Sequence, residues 1–170
     1  KKGAIDIVQT LLDRGADINF IDKNTDTSAL IEAASTYSPN IELIRLLLSK
    51  RANVNLVTGY GNTALLGAAR HHNVELVDLL LAHGADANVK NINNSTPMHE
   101  TIWGTDNERE QFSLEIVRKL LDRGAAINTR STQVNSTPIT PLSVAIYQDR
   151  SQIALLLTER GADPNDPTNI

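Results

Sequence analysis

The chain contains no cysteine. That excludes disulfide staples, thiolate nucleophiles and the thiolate sets that commonly hold structural zinc. Four histidines without a thiol partner are a poor basis for a metal site, and no metal or other cofactor is expected. Aromatic residues are scarce, at 4%, so Leu, Ile, Val and Ala must fill the core. No apolar run approaches the roughly 20 residues that a membrane-spanning helix requires, so membrane insertion is not expected. Basic residues do not predominate either. The net charge is −4, which speaks against a nucleic-acid partner, because such partners leave a basic footprint. The chain opens on Lys1-Lys2-Gly3 with no apolar leader, and the missing cysteines suit a reducing compartment, so the expected location is cytoplasmic. What remains, 41% apolar and 21% charged over 170 residues, is a globular composition of about one domain.

Self-similarity organises that composition. Gly-Ala-Asp-Ile-Asn at 15–19 returns as Arg-Ala-Asn-Val-Asn at 51–55 and Gly-Ala-Asp-Ala-Asn at 84–88. It returns twice more, as Gly-Ala-Ala-Ile-Asn at 124–128 and Gly-Ala-Asp-Pro-Asn at 161–165, giving intervals of 36, 33, 40 and 37. An apolar stretch at helical spacing precedes each copy, for example Leu43-Ile44 with Leu46 to Leu48, and Leu76-Val77 with Leu79 to Leu81. A second motif opens four units: Ser28-Ala29-Leu30, Thr63-Ala64-Leu65, Thr96-Pro97-Met98-His99 and Thr140-Pro141-Leu142-Ser143. Ser or Thr followed by Pro is a helix start, a cap and then the first helical residue.

The five Gly-Ala-Asp-Xaa-Asn-like ends and Thr96-Pro97-Met98-His99 resemble the ankyrin repeat, whose base period is 33, over nearly the whole chain. The resemblance implies an all-α solenoid of stacked helix–turn–helix units with hairpin-like tips. It implies one domain, 1–170, with units near 1–19 (partial), 20–55, 56–88, 89–128 and 129–165. In the 56–88 unit, an inner helix from about Thr63 to Arg70 and an outer helix from about Asn73 to His83 are expected. Gly84 then stops the outer helix in the left-handed conformation. The residue before each such stop is basic (Arg14, Lys50, His83, Arg123, Arg160), which suits the negative end of a helix dipole. Arg51 stands where the other copies have Gly, so a side chain is expected at a left-handed position. Extra residues are expected as loops before Ser28, around Ser38 to Asn40, through 105–112 and in a lengthened turn at 133–139. Both ends fall in mid-pattern, which gives a segment of something longer as the expectation.

A convergent set of reactive groups is not visible, and no enzyme is expected. Gly59-Tyr60-Gly61 lacks the strand and the following Lys of a phosphate loop. His71 and His72 are adjacent and diverge on a helix. His99 fills a position where, by the resemblance, imidazole bonds backbone between neighbouring units. The family likeness also implies that Asn55 and Asn88 are candidates for asparagine hydroxylation.

The same likeness implies a protein partner on the concave face, in a monomeric module. Tips at 24–27, 58–62, 91–95 and 131–139, and inner-helix ends at 35–36, 70–71, 103–104 and 147–148, are left free by the repeat pattern. Tyr37, Tyr60, Trp103 and Tyr147 lie at or beside these positions, and Trp, Tyr and Arg dominate binding hot spots. The candidate partner-binding residues are therefore Tyr60, Asn62, Arg70, His71, Ile92, Asn93, Trp103, Tyr147 and Gln148. Glu32, Glu100 and Asp149 stand near them and could meet a basic partner. Packing of Trp103 on Phe112 is the bland alternative. The function alternatives are a regulatory or docking segment of a larger enzyme or channel, and a microbial or viral protein directed at a host.

Overall fold

A computed structural model describes residues 2–103, 110–134 and 137–169. Helix α1 (Lys2–Asp13) is followed by the pairs α2 (Ala29–Ala34) with α3 (Ile41–Ser49) and α4 (Ala64–Arg70) with α5 (Val74–Ala82). Then come α6 (Pro97–Ile102) with α7 (Glu110–Asp122), and α8 (Pro141–Tyr147) with α9 (Ser151–Glu159). Strands β1 (Ser131–Val134) and β2 (Thr137–Ile139) form an antiparallel hairpin ahead of α8, with an irregular register between Ser131 and Val134. A 3-10 turn, Pro167–Asn169, comes after the last helix.

Each inner helix starts where its cap dictates. Ser28, Thr63 and Thr140 sit in extended backbone and accept the N–H three residues on, and Thr96 precedes α6 in the same conformation. Helices of six or seven residues are too short to persist alone, so neighbours must hold them. Inner helices α2, α4, α6 and α8 pack side by side in one layer, and α3, α5, α7 and α9 form a second layer behind them. Leu65, Leu76, Leu80, Met98, Ile102, Ile116, Leu120, Ile153 and Leu157 fill the space between. Gly67 permits the closest approach: a Cβ there would stand 2.4 Å from Ser35 Oγ on the end of α2.

The outer helices stop as expected. Gly15, Gly84, Gly124 and Gly161 take φ between 80° and 95°, and Arg51 takes φ 66° at the matching place. Three of the basic residues ahead of the stops reach back one unit, while the His83 ring bonds the Leu79 carbonyl of its own helix. Lys50 pairs with Asp13, Arg160 with Asp122, and Arg123 Nη1 donates to the Leu81 carbonyl. The insertion expected in the 89–128 unit is not all loop. Glu110 to Phe112 form the first turn of α7, while 104–109 lie outside the described residues.

The asparagine ending each repeat string forms a ladder along the stack. Asn19 Oδ1 accepts from Asn53 N at 2.8 Å, Asn55 Oδ1 from Asp86 N at 2.8 Å, and Asn128 Oδ1 from Asp163 N at 3.2 Å. Asn88 Oδ1 accepts from the Ala126 N–H, and its Nδ2 donates to the Gly124 carbonyl at 3.0 Å. Asn55 Nδ2 donates to Gly84 in the same way at 2.9 Å. Both asparagines named for hydroxylation thus have both ends of their amides committed to the neighbouring unit. The aspartates of the same strings close local turns, as Asp17, Asp86 and Asp163 accept from the N–H two residues on.

Candidate protein-binding surface

Seven residues beyond the cap of each inner helix in the last three pairs stands a different side chain: Arg70 and Tyr147 as the last residues of α4 and α8, and Trp103 directly after α6. The rings of Trp103 and Tyr147 lie parallel with centroids 6.0 Å apart, and Tyr147 is 76% exposed. Trp103 therefore stacks on the next inner-helix end. Phe112, the alternative neighbour, is half exposed and instead lines a shallow groove with Tyr37 and His71. His71 meets Tyr37 edge to face at 4.4 Å, and His72 Nε2 donates to the Thr101 carbonyl at 2.9 Å. Gln148 caps α8 beside Tyr147.

Arg70 is tied inward. Its Nε donates to Glu100 Oε2 at 2.9 Å, and Asn91 Nδ2 donates to Glu100 Oε1 at 3.2 Å. The Glu100 side chain is only 3% exposed. Buried carboxylates need partners of this kind to offset lost hydration. Glu100 accordingly does not present its charge to a partner, contrary to the sequence expectation, because α6 turns it under the surface and Arg70 covers it.

The tips are chained through their backbones. The Asp26 carboxylate accepts from Gly59 N at 2.8 Å and Tyr60 N at 3.0 Å, and these bonds hold its pKa below the ordinary value. The Tyr60 carbonyl accepts from Ile92 N at 3.2 Å, and the Asn93 carbonyl from Thr132 N at 2.8 Å. The Ser131 hydroxyl also donates to Asn93 at 3.1 Å. The backbones of Tyr60, Ile92 and Asn93 are thus joints, while the side chains of Tyr60 and Ile92 point into solvent. Tyr60 precedes α4 and Arg70 ends it, so roughly 10 Å of helix separates the two. The nine candidates therefore fall into a tip row (Tyr60, Asn62, Ile92, Asn93) and a row at the inner-helix ends (Arg70, His71, Trp103, Tyr147, Gln148). Tyr60 does not join Trp103 and Tyr147 in one cluster.

Two features escaped the sequence. Ile146 is 51% exposed beside Tyr147, although its counterparts Ala34, Ala69 and Ile102 are buried. The periodicity marks it as core, and only its place in the last pair opens it. Asp26 reads as an ordinary turn residue, and nothing in its local pattern announces a bond to the next tip.

Among the described residues no group of His, Asp and Glu is placed to hold a metal ion. His99, 1% exposed, donates from Nε2 to the Ile139 carbonyl at 3.2 Å and accepts from Thr96 N at Nδ1. Burial lowers its pKa to about 4, against the smaller raising effect of the Ile139 bond, so the ring is a neutral strut between units. Asp166 is lowered to about 2, first by the hydrogen bond from Arg130 and then by Thr168 N–H. Among the described residues no helix is long and apolar enough to cross a membrane.

Capped helix pairs, left-handed stops and a backbone ladder at a period near 33 define a repeat solenoid. The family model for ankyrin repeats in three copies matches residues 1–91 and 30–131, and the single ankyrin repeat model matches 139–169. The chain belongs to the ankyrin repeat family. It is 33% identical to the ankyrin repeat protein YahD of Escherichia coli (strain K12), over 91% of this chain and 73% of that protein. It is 34% identical to an ankyrin repeat protein of fowlpox virus (strain NVSL), over 92% of this chain and 44% of that protein. The human ankyrin repeat and SOCS box protein 6 is 32% identical over 71% of this chain and 32% of its own length. The chain thus spans less than half the length of two of these three relatives.

Proposed function

We propose that the chain is a non-enzymatic interaction module that binds a protein partner on the inner face of its stack. The observation that carries this reading is the parallel Trp103–Tyr147 pair, with exposed Ile146 beside it, at the inner-helix ends. Trp103 is half-buried against the core and Tyr147 is exposed, so the pair offers apolar area on a rigid support at little ordering cost. Ankyrin repeats are generally protein-interaction modules, and the pair supports this face over the outer layer, where charged residues such as Arg45 and Glu75 bond each other.

The test is capture from lysate with the wild-type chain and with a Trp103→Ala, Tyr147→Ala variant of matched stability. Proteins retained by the former and lost by the latter are expected. Identical retention by both refutes binding through the aromatic pair.

A second reading is favoured by coverage. The chain accounts for 44% of the fowlpox virus relative and 32% of the SOCS box relative, so it fits a docking or regulatory segment of a longer chain. The viral relative also keeps a host-directed role in view. A cytoplasmic, monomeric state accords with either reading, and sedimentation of the purified chain tests the latter.

A further inference from the structure

We propose that the junction between α6 and α8 is an acid-sensitive joint. Proton uptake by His99 parts the two units there and separates Trp103 from Tyr147, so the aromatic pair is assembled only while the ring is neutral. The consequence for a partner rests on the inner-face reading; the joint itself does not. Two ties cross this junction, one at each end of α6. Near the cap, His99 Nε2 donates to the carbonyl of Ile139, the residue just ahead of the α8 cap Thr140. One turn later Trp103, whose N–H bonds the His99 carbonyl at 2.9 Å, stacks on Tyr147 with centroids 6.0 Å apart. About 6 Å of helix separates the two ties.

The position three residues beyond the cap carries Ile31 in α2, Leu66 in α4 and Ser143 in α8. Among these inner helices a titratable side chain therefore closes only the α6 junction. His99 Nδ1 accepts from Thr96 N at 3.3 Å and lies 2.9 Å from Thr96 Oγ1, which makes it half of the box that starts α6. A proton on Nδ1 turns that acceptor into a donor facing the Thr96 N–H, and it puts a cation on a residue only 1% exposed. Burial outweighs the groups that favour the cation, which are the Ile139 and Thr129 carbonyls and Glu100, while Lys90 opposes it. Glu100 is itself engaged by Arg70, the only charge on α4, and by Asn91. Strand β2 has no ionisable residue, α8 has only Tyr147, and α7 turns Ser113, Ile116, Val117 and Leu120 inward. The charged ring therefore gains more from water than from its neighbours, and water reaches it when the joint opens.

Each unit of a stack touches only its neighbours, so one weakened junction can open while the rest stays packed. Helices α8 and α9 pack on α6 and α7, and helices this short do not persist without such support. Other ties across the junction include the Asn128 Oδ1 bond from Asp163 N, at 3.2 Å, and the exposed Arg160–Asp122 pair, which solvent screening leaves weak. The ring is held to a pKa of about 4 in the closed joint and titrates near 6.5 once hydrated, so the open joint takes up its proton first. Lowering the pH from 7.5 to 4.5 therefore raises the open-to-closed ratio on the order of 100-fold.

Trp103 is the single tryptophan, so its emission reports on this joint. The experiment lowers the pH of the full chain from 7.5 to 3.5 and follows Trp103 fluorescence alongside helical circular dichroism. Tyr147→Ala at pH 7.5 supplies the emission of an unstacked Trp103. Wild-type emission is expected to move toward that signal at a higher pH than the one at which helicity is lost. His99→Gln, which keeps a neutral donor and acceptor, should shift the Trp103 change to lower pH and merge it with the loss of helicity. His99→Ser is the second variant, since Ser143 closes the same box in α8 with a hydroxyl. Coincident transitions in the wild-type chain overturn the joint, because acid then unfolds all units together. A Trp103 change that keeps its midpoint in both variants overturns it too, because another group then takes up the proton. No partner enters the measurement. A failed lysate capture therefore leaves the joint standing, and coincident transitions leave the inner-face reading standing.

Discussion

His99 donates its Nε2 proton to the carbonyl of Ile139, forty residues further along the chain, across a 3.2 Å bond. Its Nδ1 accepts from Thr96 N, which needs the neutral ring, and burial holds the folded pKa near 4. An unfolded histidine takes up a proton near pH 6.5. The unfolded state therefore binds more protons between these values, and stability must fall as the pH drops from about 6.5 to about 4. The loss through this residue should be about 3 kcal/mol. Denaturant melts from pH 7.5 to pH 4.5 check it, with His99→Gln expected to flatten the slope. The aspartate contributions lie in a lower window: Asp166, lowered to about 2, adds stability that is lost only as pH falls below its ordinary value toward 2.

Arg51 occupies the left-handed stop of α3 at φ 66°, where Gly84 stands at 86° and Gly161 at 95°. A non-glycine residue there bears a steric penalty of about 1–2 kcal/mol. Arg51→Gly should therefore raise the midpoint of thermal unfolding, by roughly 2–8 °C for a change of that size in a chain this long. A midpoint that stays put or falls would show that Arg51 makes compensating contacts.

The fold was legible because each repeat states it independently. Ser28, Thr63 and Thr140 announce the inner helices by capping chemistry, and the glycine stops announce the ends of the outer ones. Both signals act within a few residues, so one sequence carries them fully. The candidate site was legible only as a set of free positions. That Trp103 reaches Tyr147 and that Arg70 turns inward to Glu100 are contacts between units. Their geometry depends on how the pairs stack, which local pattern does not contain. Ile146 shows the same limit, since its burial depends on the neighbouring layer of the stack and not on its own residue type.

Asn88, like Asn55, is a rung of the asparagine ladder with both ends of its amide engaged, here with Ala126 N and the Gly124 carbonyl. Asn88→Ala removes both bonds and leaves two backbone groups at a unit junction without their partner. A cost of about 1–3 kcal/mol is expected, within the range for two lost hydrogen bonds that water partly replaces. Asn165 has the same place in the last string, where its N–H bonds only Asp163 within the turn. Asn165→Ala should cost less than about 0.5 kcal/mol, as surface changes usually do. Equal effects at the two positions, measured by urea unfolding, would remove the ladder from the account of stability.

Arg70 and Glu100 couple a half-exposed guanidinium to a carboxylate that is 3% exposed. The two partners are not equivalent in what their removal leaves behind. Arg70→Ala strands a buried negative charge with the Asn91 amide still donating to it, and breaking a buried pair this way is strongly destabilising. Half-exposure of Arg70 lets water and salt take over part of its role, so a cost of about 1–3 kcal/mol is expected rather than the full penalty. Glu100→Gln keeps the shape, removes the charge and leaves Arg70 free to turn outward, at a smaller cost. The double variant Arg70→Ala, Glu100→Gln should then be more stable than Arg70→Ala alone, because the stranded charge is gone. A double-mutant cycle measured by urea unfolding decides it. If adding Glu100→Gln to Arg70→Ala makes matters worse, the carboxylate is sustained by Asn91 and solvent, and the guanidinium is there for a partner rather than for the fold.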